Sequence, residues 1–154
     1  MKGIEIFFKT LIKDKVDHIF SPPNSFGPEV DSIFDKKFKN LVKNVISGNE
    51  QGASHMADGY ARVTGKPGVV VCDSDTSGTN TITGLQTANM DSAPIVVFVC
   101  HFSENDKLSN VFNQIDHIGI SRSTTKHNFL VENISELSRI IREALYLSLI
   151  HISE

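Results

Sequence analysis

The sequence predicts an α/β fold, a mainly parallel sheet sandwiched by helices, from three observations. Two apolar runs, Val69-Val70-Val71-Cys72 and Pro94 to Cys100, have no polar interruption and read as strands buried on both faces. Segments with apolar residues at helical spacing stand between such runs. Strand and helix alternate along the chain, as in parallel strands joined by helical crossovers.

Gly3 to Lys15 carries Ile4, Phe7, Phe8, Leu11 and Ile12, spaced for one face of an amphipathic helix. Val16 to Phe20 is short and β-branched at its start, and reads as a strand. Ser21-Pro22-Pro23-Asn24-Ser25 has the composition of a turn. A helix to about Phe34 follows, then a strand over Leu41 to Ile46. Glu50 to Thr64 places Ala53, Met56, Ala57 and Ala61 in helical phase, and Gly65-Lys66-Pro67-Gly68 stops that helix. After the Val69–Cys72 strand, Thr79 to Met90 reads as a helix with Ile82, Leu85 and Met90 in phase. The Pro94–Cys100 strand leads into a loop over Phe102 to Asn113. A short strand near His127 to Val131 and a last helix from Ile134 to Leu147 complete the pattern. No internal repeat or low-complexity tract interrupts it.

At 154 residues, 40% hydrophobic and 21% charged, the chain fits one domain with one sizeable core. Its net charge of -3 gives no basis for a nucleic-acid partner, which needs a concentrated basic surface. Lys36, Lys37, Lys39 and Lys43 read as a solvated helix end and loop. No apolar run approaches the ~20 residues that span a bilayer, so no membrane association is expected. The N-terminus lacks a signal peptide's apolar region and cleavage site. Cys72 and Cys100 read as buried thiols of a reducing compartment, and the expected location is the cytoplasm.

Ligands of open parallel sheets sit beyond the carboxyl ends of the strands. The loops Ser21–Ser25, Gly48–Glu50, Asp73–Asn80 and His101–Asn113 all follow predicted strands, so they should converge on one edge. Glu50 lies just after a strand and opens a helix. By position alone it is an acidic residue favoured by the helix dipole. His55, one turn on, and His127 have no nucleophile near them in sequence and read as structural.

The run Asn49-Glu50-Gln51-Gly52-Ala53-Ser54-His55-Met56-Ala57-Asp58-Gly59-Tyr60-Ala61-Arg62-Val63-Thr64-Gly65-Lys66-Pro67-Gly68 resembles the signature of the acetolactate synthase large subunit. More broadly it resembles the pyruvate oxidase-like thiamine-diphosphate enzymes. Thr83-Gly84 through Met90-Asp91-Ser92-Ala93-Pro94, Phe112 through Asp116 with Gly119, and Thr125-Lys126-His127-Asn128-Phe129-Leu130-Val131 resemble the same family at matching intervals. The likeness covers about Gly3 to Leu147. It implies a thiamine-diphosphate pyrimidine-binding domain over residues 1–147, with the family's last strand missing. Residues 148–154 then read as a tail with two open readings, translated adapter sequence that is not native or a genuine short C-terminal helix end.

The resemblance implies a chemistry for Glu50. The family's glutamate hydrogen-bonds N1′ of the cofactor's aminopyrimidine and favours the imino tautomer, whose N4′ removes the C2 proton. Glu50 is therefore the candidate catalytic residue. The cofactor-binding candidates are Pro23, Asn24, Ser25, Glu50, Ser74 and Asn80. His101, Phe112 and Asn113 are candidates on the substrate side. The implied cofactor is thiamine diphosphate, of which this chain holds the pyrimidine half. Mg2+ and FAD are expected only through domains absent from this chain, and no metal site is expected on it. Asp58-Gly59 sits inside a predicted helix, without the downstream asparagine of the family's diphosphate motif. The implied partners are the diphosphate-binding domain of another subunit, in a homodimer or tetramer, and a small 2-oxo acid.

Departures from the family cluster at the strand ends. Asn24-Ser25 stand for a glycine pair, Asn49 for a histidine, and Ser74-Asp75-Thr76-Ser77 for a glycine-rich loop. His101, Asn113 and Gln114 also differ from the family's residues. Three functions stay open on the sequence: an acetolactate synthase-like carboligase of branched-chain amino acid biosynthesis, another thiamine-diphosphate decarboxylase or oxidase, and a non-catalytic module of the same fold.

Overall fold

The computed structural model describes residues 2–73, 76–100 and 115–150. Its helices are α1 (Gly3–Lys13), α2 (Gly27–Lys37), α3 (Glu50–Thr64), α4 (Ile82–Met90), α5 (His117–Ser121) and α6 (Leu137–Leu149). Its strands are β1 (His18–Ser21), β2 (Lys43–Ile46), β3 (Gly68–Asp73) and β4 (Ile95–Cys100), and a 3₁₀ turn covers Thr76–Thr81. All pairings are parallel, in the order β2-β1-β3-β4. The order runs outward from β1 to β2, then reverses across β1 to β3 and β4. A switch of this kind opens a crevice between the carboxyl ends of the strands that flank it.

Two layers of side chains cover the sheet. On one face, Phe7, Phe8 and Leu11 of α1, Val30 and Phe34 of α2, and Ile141 and Leu145 of α6 pack on Ile19, Val69 and Val71. Phe8 is fully buried, and its ring lies 5.0 to 5.9 Å from those of Phe26, Phe34 and Phe38. On the other face, Ala53 and Ala57 of α3 meet Phe20 and Val70. Small residues let this helix come close. A Cβ on Gly68 would lie 2.6 Å from the carbonyl carbon of Ala57, and one on Gly84 would lie 2.5 Å from Ser54 Cβ. Gly65, left-handed at φ 68°, ends α3, as its sequence position predicts.

The amino-terminal edge of the sheet is tied by polar contacts. Asp17 accepts from Lys66 Nζ at 2.8 Å, from Tyr60 Oη, and pairs with His18 Nδ1 at 3.0 Å. This network joins the start of β1 to α3 and to the turn before β3. The lysine run is solvated, with Lys37 paired to Glu5 and Lys39 to Asp35 at 3.6 Å.

Outside the loops at the carboxyl edge, three expectations need correction. No strand forms at His127 to Val131. Lys126 donates to the Leu147 carbonyl at 2.8 Å, and Asn128 bonds Thr125 and Ser121 at 2.8 and 2.9 Å, so side chains hold this segment as a loop. Leu130 is exposed, so the apolar run is not covered as a strand would be. β4 was expected to be buried on both faces. It is an edge strand among the described residues, half-buried throughout, and a cavity of about 920 Å³ lies against it. The last helix starts at Leu137 rather than Ile134, because Asn133 Oδ1 accepts from the Ser135 amide and hydroxyl and holds a turn there. It runs to Leu149. No helix among the described residues is long and apolar enough to cross a membrane.

Phe8→Ala should cost about 3 to 5 kcal/mol in urea denaturation, because the rings around it cannot collapse into the space. Asp17 is held well below the ordinary carboxylate range by Lys66 first, then by Tyr60 and His18. A carboxyl depressed in the folded state adds stability above its unfolded value and loses it as pH falls through the folded one. Asp17 is half exposed, so Asp17→Asn should cost under about 1 kcal/mol at neutral pH. Melting curves across pH should show the gap to wild type closing below pH 3.8.

Candidate functional site

The carboxyl ends of β1 and β2 are stitched together side by side. Ser21 ends β1, and its hydroxyl donates to Asn44 Oδ1 at 2.9 Å. Its carbonyl accepts from the Ser47 amide at 2.9 Å, and the Ser47 hydroxyl oxygen lies 3.3 Å from it. The turn beyond β1 carries Pro23 and Asn24 on the surface and a buried Ser25, whose hydroxyl donates to the Pro22 carbonyl. Asn24 is left-handed at φ 59°. Asparagine is among the side chains that best tolerate this region, so the turn keeps a glycine-like backbone without glycine.

Beyond β2, Ser47 Oγ donates to the Asn49 carbonyl at 2.6 Å. Asn49 is extended and caps α3, its Oδ1 accepting from the Gly52 amide at 2.7 Å. The residue in the place of a family histidine therefore satisfies one of the helix's free amides. Glu50 is the first residue of α3 and is half-buried. Its Oε2 accepts from Asn80 Nδ2 at 2.9 Å. Among the described residues, no other hydrogen bond to the Glu50 carboxyl is formed.

Asn80 lies in the 3₁₀ turn that follows β3. The sequence predicts an α-helix from Thr79. The turn stays tight because the buried Thr81 hydroxyl donates back to the Gly78 carbonyl at 2.7 Å. Burial pushes the Cys72 thiol, near the end of β3, up to about 12, with the charges of Glu50 and Asp73 adding to the shift. Burial likewise raises the Cys100 thiol at the end of β4. Neither cysteine is a thiolate nucleophile at neutral pH.

Glu50 and Asn80 are thus brought into direct contact. Pro23, Asn24 and Ser25 stand at the neighbouring strand end, linked to the Glu50 loop through Ser21 and Ser47. Ser74, His101, Phe112 and Asn113 lie outside the described residues. His55 is exposed on α3, and the ring of His127 packs at 4.4 Å from that of Phe129. Sequence reasoning missed His117. It opens the five-residue helix α5, capped by Asp116 Oδ1 on the Gly119 amide at 2.8 Å. The capping pair Asp116 and Gly119 was the signal that could have found the helix, although not where its histidine points.

Residues 1–120 match the family described as thiamine pyrophosphate enzyme, N-terminal TPP binding domain. The chain belongs to this family. It is 40% identical over 147 residues to the mitochondrial acetolactate synthase catalytic subunit of Aspergillus candidus, covering 95% of this chain and 21% of that protein. It is 40% identical over 149 residues to the acetolactate synthase large subunit of Buchnera aphidicola subsp. Schizaphis graminum, covering 96% and 26%. It is 38% identical over 148 residues to an acetolactate synthase of Arthrospira platensis, again covering 96% and 26%. The chain thus spans about a quarter of the length of these relatives or less.

The family's cofactor is thiamine pyrophosphate. A half-buried carboxyl with one oxygen fixed by Asn80 suits a ring nitrogen as its second partner, so these residues fit the pyrimidine part. A metal is another matter. Among the described residues no group of three or more His, Cys, Asp or Glu could hold one. Asp58 is buried in α3 and paired with Arg62 Nε at 2.9 Å. The described residues do not fit a magnesium site.

Asn49→Ala should destabilise the domain by about 1 kcal/mol through loss of the cap. Hydrogen exchange should quicken first at the amides of α3's first turn, Gly52 among them.

Proposed function

We propose that this chain is the pyrimidine-activating half of an acetolactate synthase-like active site, with Glu50 as its catalytic residue. The contact between Glu50 and Asn80 at the carboxyl edge of the sheet carries the reading. Thiamine diphosphate, when bound, supplies the nucleophilic carbanion and the electron sink for decarboxylating 2-oxo acids and joining them. Asn80 fixes Oε2 of Glu50, and Oε1 is left for the pyrimidine nitrogen. A proton held at Oε1 can be shared with that nitrogen, and the first turn of α3 keeps the carboxyl in place. By the resemblance of their positions, the Pro23–Ser25 turn, Ser74 and Asn80 are the candidates for the cofactor's ring, and His101, Phe112 and Asn113 those for the substrate.

The relatives are named acetolactate synthases, and the substrate of this reading is pyruvate or another small 2-oxo acid, with branched-chain amino acid biosynthesis as the setting. The described residues assign no metal-dependent step to this chain. Magnesium, the diphosphate and FAD, where a member carries it, fall to other domains. We therefore place a diphosphate-binding domain of another subunit opposite Glu50, in a homodimer or tetramer.

The test is turnover of pyruvate by the complete assembly. Glu50→Gln keeps an acceptor for Asn80 but removes the acid–base group. It should lower turnover by roughly 10²-fold or more, with a melting temperature close to wild type. Unchanged turnover would overturn the assignment.

A further inference from the structure

His117 lies at the same end of the sheet as Glu50, and its ring is seated on glycine. A Cβ on Gly78 would lie 2.6 Å from His117 Cε1, 2.8 Å from its Nδ1 and 3.2 Å from Val99 Cγ1. The Cα of Gly78 is therefore flush against the imidazole, with β4 behind it. Gly78 is buried, and its φ is not in the left-handed region, unlike Gly27 and Gly65. Its backbone does not demand glycine. What the missing side chain provides is room for the ring.

The turn that presses on this ring is the one that carries Asn80. Thr81 Oγ1 closes it onto the Gly78 carbonyl at 2.7 Å, and Asn80 Nδ2 reaches Glu50 Oε2 at 2.9 Å. Behind His117 the support is fixed as well. The buried Ser121 hydroxyl donates to the His117 carbonyl at 2.6 Å and contacts Asn128 Oδ1 at 2.9 Å. Contacts thus run without a gap from Asn128 through α5 and the ring to Gly78, Asn80 and Glu50.

We propose that His117 is a positioning residue for the Glu50–Asn80 pair, acting through Gly78 to hold the 3₁₀ turn at the distance that keeps their hydrogen bond closed. Its functional weight rests on the reading of Glu50 given above. The geometry itself does not. If the ring is removed, the turn can settle into the vacated space. If a methyl group is added to Gly78, the turn is driven off the ring, because Ser121 and Asn128 hold α5 behind His117. Either change opens the bond from Asn80 to Glu50.

The test is the side-chain amide of Asn80 in the ¹⁵N-labelled chain, assigned by its loss in Asn80→Asp. Glu50→Ala gives the resonance position of the unpaired amide. His117→Ala and Gly78→Ala should each move the signal more than half of the way from its wild-type position to that one. The double variant should move it no further than the larger single shift, because both changes act on one contact. If either single variant leaves the amide nearer its wild-type position, the proposal is wrong, even where the melting temperature falls. A double variant whose shift is the sum of the two also overturns it. The readout involves neither cofactor nor turnover. It can fail while Glu50→Gln still abolishes activity, and it can succeed when Glu50→Gln does not.

Discussion

Helix α3 lies so close to β3 that no side chain fits between Gly68 and the backbone of Ala57. The helix leaves the end of β2, crosses β1 and delivers the chain to the start of β3. It can do so at this depth only because Ala53 and Ala57 face the sheet and Gly84 of α4 meets Ser54. Larger residues would lift α3 away and carry Glu50 with it. The placement of the candidate catalytic carboxyl is thus a consequence of small-residue packing one to two turns along the helix. Interiors packed at crystal-like density transmit such displacements rather than absorb them.

The two ends of the sheet are built differently. At the amino-terminal edge, polar groups pair among themselves: Asp17 gathers Lys66, Tyr60 and His18. At the carboxyl edge, the bonds among the described residues leave something over. Ser21, Asn44 and Ser47 satisfy one another, and Asn49 caps α3. Glu50 keeps one oxygen that Asn80 does not take.

Two changes that look like losses in the sequence serve the local backbone of this chain. Asn24 replaces a glycine of the family pattern yet holds φ 59°. Asn49 replaces a histidine and supplies a helix cap. Such compensations could not be read from the residues. Whether a position needs glycine depends on its backbone angle, and whether an asparagine caps depends on where the helix begins. The helices α1 and α3 and strands β3 and β4 were legible nearly to the residue, because hydrophobic period and Gly/Pro stops are local signals. The segment at His127 to Val131 was not. Its β-branched and aromatic residues suit a strand, but pairing is decided by neighbours, and Lys126 and Asn128 tie it elsewhere.

By itself, the sequence determined the alternation of strand and helix, the parallel sheet and the family signature around Glu50. The alternation and the signature are properties of residue order, and the parallel sheet follows from the alternation because helical crossovers return each strand in the same direction. Only the tertiary structure decided that Asn80 meets Glu50 across thirty positions of chain, that β4 is the edge strand among the described residues, and that His117 sits on Gly78. Each of these is a contact between segments far apart in sequence. Its existence depends on how helices and strands pack, and no local pattern encodes that.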